Sequence, residues 1–249
     1  MESELVNSPQ SKLPHRSMKG LWIEAARPRT LPLALASILM GSFLAAHEGD
    51  FSWKIFVLTA LTTVILQVLS NFANDYGDTQ NGADLTGRQG PMRAVQSGQI
   101  TQKQMLQAIV FTSSLALFSG LALLYFALKE ADMQSFLMFL GLGILCILAA
   151  ITYTAGKNPY GYAGFGDISV LIFFGLVGVL GTYFLQTKTF QFNIILPALT
   201  SGFFAVAVLN INNLRDIDSD KLATKKTIPV RFGKSFGIKY HRFLVFGGL

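Results

Sequence analysis

Two short polar stretches interrupt an otherwise apolar sequence: NFANDYGD at residues 71–78 and NNLRDIDSD at residues 212–220. Carboxylates beside long apolar runs are costly to keep ionised unless they are paired, neutralised or bound to a metal. At about 100° per residue on a helix, Asn71, Asn74, Asp75 and Asp78 share one face about 100° wide. Asn212, Asp216 and Asp220 line up on a second face, with Asn213 at its edge, and Asp218 falls opposite if the helix continues that far. Hard oxygen ligands at this spacing suit Mg²⁺, which takes one or two carboxylates and keeps room for waters and substrate phosphates. A single such Asp more often caps a helix end or pairs with an Arg. Two clusters of matching composition, each followed by basic residues that can meet phosphate, point instead to metal–diphosphate binding. The ligand implied is an amphiphile with an anionic diphosphate head and a long apolar tail.

The elements that must carry these clusters follow from composition. Of 249 residues, 51% are hydrophobic and 14% charged, against about 25% charged in a soluble domain. The charges separate long uncharged runs at 30–46, 55–74, 104–128, 133–156, 168–187 and 189–214. A spanning helix needs about 20 apolar residues, so each run qualifies, the first with its ends slightly extended. Six such runs leave almost no amphipathic surface helix. The fold class is all-α, a polytopic transmembrane helical bundle. HRFLVFGGL opens a seventh apolar run that stops at residue 249, so a C-terminally truncated chain is expected. Residues 1–19 read as a disordered cytoplasmic N-terminus without the apolar core of a signal peptide, and 20–249 as the transmembrane domain. The lone Cys146 has no intrachain disulfide partner.

Basic residues set the orientation. Seventeen of the 20 Lys and Arg lie before the first run or after the second, fourth and sixth. Lys54, Lys129 and Lys188 are the three on the other side. The N-terminus and both acidic clusters are therefore expected to be cytoplasmic, in a multi-pass protein of the cell (inner or plasma) membrane. The net charge of +6 is a membrane-surface and anionic-ligand signal. Nothing in the sequence matches a nucleic-acid-binding motif.

Taken in order, these motifs resemble the UbiA superfamily of intramembrane aromatic prenyltransferases. The N-x-x-x-D-x-x-D pattern is Asn71, Asp75 and Asp78; the second motif, D-x-x-x-D, is Asp216 and Asp220; Y-x-x-x-K is Tyr153 and Lys157. ARPRTLPLA, GPMRAVQSGQIT and KKTIPVRFGK further resemble the branch that acts on 1,4-dihydroxy-2-naphthoate. The likeness spans roughly residues 20 to 240. It implies nine helices, of which about six and a half fall in this sequence. It also implies Mg²⁺ held by Asp75, Asp78, Asp216 and Asp220, with help from Asn71 and Asn74. Tyr153 and Lys157 are implied catalytic residues with the four acids, and Asn71, Asn74, Arg93, Asn212, Asn213, Arg215 and Lys221 are implied to bind substrate. The implied partners are a polyprenyl diphosphate, the naphthoate acceptor and the lipid bilayer, with no obligatory protein partner. The implied products are diphosphate, CO₂ and demethylmenaquinone, a step of menaquinone biosynthesis. Acceptors such as 4-hydroxybenzoate or homogentisate are the alternatives within the superfamily.

Other features read as structural. GYAGFGD at 161–167 follows no strand and reads as a flexible loop with Asp167 capping the fifth span. Gly141, Gly143, Gly175, Gly178 and Gly181 read as close helix packing. His15, His47 and His241 lie outside the motifs and read as solvated, and Lys225 and Lys226 suit either phosphate or lipid anchoring. A soluble polyprenyl diphosphate synthase also pairs two Asp-rich motifs, but on amphipathic helices. The D-x-x-D-G-x-x-A-R pattern of CDP-alcohol phosphotransferases is absent. An ion-coupled transporter would place acids within its spans, whereas here they lie at or beyond helix ends.

Overall fold

The computed structural model describes residues 17–82 and 93–249. Of the N-terminal stretch 1–19 expected to be disordered, residues 1–16 lie outside the described residues, as do Arg88 and, within that stretch, Lys12, His15 and Arg16, whereas Ser17 caps α1 and Met18 and Lys19 open it. Also outside the described residues are the first three residues of the GPMRAVQSGQIT stretch, which fall at 90–92.

The chain folds into α1 (Met18–Ala26), α2 (Leu31–His47), α3 (Trp53–Gln80), α4 (Gln102–Leu128) and α5 (Met133–Thr152), then α6 (Gly161–Thr187), α7 (Ile195–Arg215), α8 (Ile217–Leu222), α9 (Ile228–Phe232) and α10 (Lys234–Gly247). No strand occurs among the described residues. Among the described residues six segments are long and apolar enough to cross a membrane, with α1 and α2 forming one of them across a break at Arg27. Helix starts carry their own signals. Ser17 and Ser52 accept from backbone N–H groups of α1 and α3. Thr101 and Gln104 form a reciprocal capping box at α4, and Asp132 accepts from the Ser135 N–H at α5. Each side chain satisfies a donor that the first turn leaves without a partner.

Length explains where the polar cluster of α3 sits. Its 28 residues span about 42 Å at 1.5 Å per residue, well beyond a hydrocarbon layer of about 30 Å. The N-terminal end is marked by Phe51 and Phe56, each edge to face with Trp53, as expected of an interfacial belt. The last two turns, with Asp75 and Asp78, therefore emerge at the opposite interface.

The bundle has two groups: α3 packs on α4 and α5, α6 packs on α2 and α7, and α2 joins the groups by also packing on α3. The α6–α7 crossing is close because Gly175 meets Gly202; a Cβ on Gly175 would lie 2.8 Å from the Ala198 carbonyl oxygen. Gly178 makes a similar approach to Ser37. Gly141 and Gly143 do not, since a Cβ on either meets nothing within 4 Å. Phe139 is the one buried residue of α5, and neither of these glycines is pressed against a neighbouring backbone.

Candidate functional site

Between the two groups lies a cavity of about 790 Å³. Thr59, Leu124, Phe139 and Leu185 wall one end; Asp78, Arg93, Asp216, Asp220 and Lys225 wall the other. Asp78 stands 19 residues along α3 from Thr59, so the cavity runs about 28 Å across the bundle. It is charged at one interface and mainly apolar toward the other, with Thr59, Thr62 and Gln67 as hydroxyl and amide groups on its wall.

At the polar end, Asp78 is the hub. Arg93 forms an ion pair with it and also donates to the Asn74 carbonyl at 2.9 Å. The Tyr162 hydroxyl donates to its other carboxylate oxygen, and Lys225 Nζ lies 3.1 Å from that same oxygen. Asn74 is fixed in turn by the Thr154 hydroxyl, which donates to its side-chain oxygen at 2.9 Å and to the Ala73 carbonyl at 3.0 Å. This junction is tight: a Cβ on Gly77 would lie 2.3 Å from the Thr154 carbonyl oxygen.

The second motif occupies a bend. Asp216 ends α7 and precedes α8, yet the i→i+4 bonds run through it, from Asp216 N–H to Asn212 at 2.9 Å and from Asp220 N–H to Asp216 at 2.8 Å. The helical register survives, so Asp216 and Asp220 both face the cavity while Asp218 is exposed. Asp216 pairs with its neighbour Arg215. Asp220 lies 3.7 Å from Lys225 Nζ. Burial, reinforced by the charges of Asp216 and Asp78 and opposed by Lys225, pushes the Asp220 carboxyl up to about 6. Two carboxylates crowded into a buried end disfavour ionisation unless cations join them.

Of the residues singled out from sequence, Asn71, Asn74, Asp78, Arg93, Tyr153, Asn212, Asn213, Arg215, Asp216 and Asp220 line this one cavity. Asp75 does not; it is buried off the cavity wall. Lys157 and Lys221 are exposed and also lie off the wall. Tyr153 is raised well above the usual phenol range by burial and by nearby Tyr160 and Asp167, so it stays a proton donor. Its ring meets Tyr160 edge to face at 5.3 Å.

The structure adds residues that sequence reading left aside. GYAGFGD is a helical turn, with Gly164 at φ 95° where a side chain would be strained. The turn is held by the Lys226 N–H donating to the Tyr162 carbonyl at 2.9 Å. It delivers Tyr162 to Asp78, and Asp167 lies inside α6, one turn beyond Gly164, without capping a helix start. Lys225 sits within the site, not at the lipid surface. Arg27 and Arg29 also line the cavity. His241 is partly enclosed, its Nδ1 without a hydrogen-bond partner, unlike the exposed His47.

Among the described residues no group of three or more His, Cys, Asp or Glu side chains is arranged to hold a metal ion. Asp78 and Asp220 nevertheless approach one cation, the Lys225 ammonium. That donor set fits Mg²⁺, which is commonly bound by one or two carboxylates together with substrate phosphates.

The sequence model of the UbiA prenyltransferase family matches residues 34–249. The chain is 52% identical over 227 residues to a protein of Haemophilus influenzae named 1,4-dihydroxy-2-naphthoate octaprenyltransferase, covering 90% of this chain and 73% of the relative. A protein of the same name from Escherichia coli is 49% identical over 228 residues, 92% of this chain and 73% of its own. Its namesake from Mycobacterium tuberculosis is 39% identical over 212 residues, 85% of this chain and 70% of its own.

Proposed function

Because the chain belongs to the UbiA prenyltransferase family, we propose that it transfers a polyprenyl group from polyprenyl diphosphate to 1,4-dihydroxy-2-naphthoate. The observation that carries this reading is a single cavity, about 28 Å long, that joins a mainly apolar interior to an end walled by Asp78, Arg93, Asp216, Asp220 and Lys225. A prenyl tail lies along the former while its diphosphate meets the latter. The names of the relatives supply the acceptor.

In this reading Asp78 and Asp220 hold Mg²⁺, with Asp216 beside them, and Arg93, Lys225 and Arg215 bind diphosphate oxygens. Bound Mg²⁺ would neutralise the charge that develops on departing diphosphate. The allylic C–O bond breaks with its electron pair leaving on diphosphate, and the electron-rich ring carbon that bears the carboxylate forms the new C–C bond. The Tyr153 and Tyr162 rings, with Phe173 and Phe174 on the same wall, offer π faces to the cationic carbon. Loss of the ring carboxylate as CO₂ returns its bonding electrons to the ring, so the product leaves as the reduced, demethylated naphthalenediol. Release of CO₂ replaces release of a proton, which removes the need for a general base; among the described residues no His lines the cavity.

The cavity's acid end faces the cytoplasm of the cell (inner or plasma) membrane, on the side that carries seventeen of the 20 Lys and Arg. The naphthoate arrives from that side, and the tail enters from the bilayer because its apolar surface is costly to expose to water. Membranes carrying the full-length protein should convert a labelled prenyl diphosphate and 1,4-dihydroxy-2-naphthoate to a prenylated, decarboxylated lipid seen by mass spectrometry. A prenylated product that keeps its carboxylate, or transfer only to 4-hydroxybenzoate or homogentisate, overturns the assignment.

A further inference from the structure

Lys225 opens the KKTIPVRFGK stretch, outside both acidic motifs, yet its Nζ lies 3.1 Å from Asp78 Oδ1 on α3 and 3.7 Å from Asp220 Oδ1 on α8. It also stands 4.7 Å from the centroid of the Tyr162 ring. Its side chain is 18% exposed, which is low for a lysine. Arg93 pairs with Asp78 of the first motif and Arg215 with Asp216 of the second. Lys225 reaches both.

We propose that Lys225 is a placeholder cation, holding the metal position between Asp78 and Asp220 and moving from there onto the diphosphate when metal is loaded. The inference rests on the diphosphate-transfer reading above. Two carboxylates aimed at one point repel each other, and an ammonium between them offsets that repulsion. A lysine suits exchange: its charge rides a flexible four-carbon stem with freely rotating donors, whereas the arginine fork is rigid. Arg93 is further pinned by its bond to the Asn74 carbonyl. The backbone beside Lys225 is anchored, since the Lys226 N–H donates to the Tyr162 carbonyl. Motion is therefore confined to the side chain, and the ammonium stays within reach of a phosphate bound at the same carboxylates.

The consequence is a split in sign. Removing the ammonium relieves competition for Asp78 and Asp220, so metal binds more tightly. The same change removes a phosphate contact, so the anion binds more weakly. A lysine that merely glued the motifs together would weaken both when removed, and a lipid anchor would alter neither.

The test uses full-length protein in nanodiscs. Mn²⁺ affinity is read by electron paramagnetic resonance without substrate; inorganic pyrophosphate is then titrated calorimetrically into Mn²⁺-saturated protein. Lys225→Met should tighten Mn²⁺ about tenfold, the scale of one charged hydrogen bond removed from competition, and weaken pyrophosphate by about tenfold. Lys225→Gln, which keeps a polar end, should show the same split at smaller size and guards against misfolding of the Met variant. Lys226→Gln should leave both constants unchanged. Losses in both constants, or no change in either, overturn the placeholder role. Wild-type protein that binds neither Mn²⁺ nor pyrophosphate overturns the underlying reading instead.

Discussion

Asn71 Nδ2 donates to the Ala26 carbonyl oxygen at 2.8 Å, so the first residue of the N-x-x-x-D-x-x-D pattern grips the α1–α2 break and not the acids beyond it. It also donates to Thr30 Oγ1 at 3.0 Å, and Thr30 in turn bonds the Arg27 carbonyl. Asn71 thereby positions the turn that carries Arg27, held in a left-handed conformation at φ 50°, and Arg29 at the cavity wall.

Asn71→Leu should therefore damage the cavity without touching the metal site. Leaving the Ala26 carbonyl without its bond costs about 1–3 kcal/mol, or a melting temperature lower by several degrees for a protein of this size. Prenyl transfer should fall at least tenfold while Mn²⁺ affinity stays at the wild-type value. A parallel loss of Mn²⁺ affinity would place Asn71 among the metal-holding residues.

The acids separate by position. Asp78→Ala should abolish prenyl transfer and leave the protein in the membrane, because Asp78 is the meeting point of Arg93, Tyr162 and Lys225. Chelation with EDTA should remove activity from the wild type and added Mg²⁺ should restore it. Full activity in chelator contradicts metal dependence.

Two acids on one short helix make an internal comparison. Asp218 is exposed and Asp220 lines the cavity across a bend that preserves i→i+4 bonding. Asp218→Asn should keep more than half of the activity, whereas Asp220→Asn should lose over nine-tenths of it. Equal losses, read by initial rates on labelled prenyl diphosphate, would show that Asp218 acts in the site.

Two glycines test the packing that supports the site. Gly77→Ala drives a Cβ to 2.3 Å from the Thr154 carbonyl, forcing α3 away from the segment that fixes Asn74. Such overpacking costs about 1–3 kcal/mol and should lower the melting temperature together with activity. Gly141→Ala meets nothing within 4 Å and should melt at or above the wild-type temperature.

The six spans and the identity of the acids were decided by sequence alone, because bilayer thickness imposes a length on every apolar run and hydropathy is a one-dimensional property. Helical spacing was enough to set Asp218 apart from Asp220, since that contrast depends only on the local period of the chain. Local pattern could not say which of those faces meet. It grouped Gly141 with Gly175, although one faces open space and the other a neighbouring backbone. It read Tyr162 as part of a loop and left Lys225 between a phosphate contact and a lipid anchor, because their importance comes from α6 and the segment after α8 folding back against α3. It also grouped Asp75 with Asp78 on one helical face, while the packed bundle buries Asp75 off the wall and turns Asp78 into the cavity. An arc about 100° wide is broad enough to straddle a wall and the core behind it, so the boundary between them was drawn by the neighbouring helices.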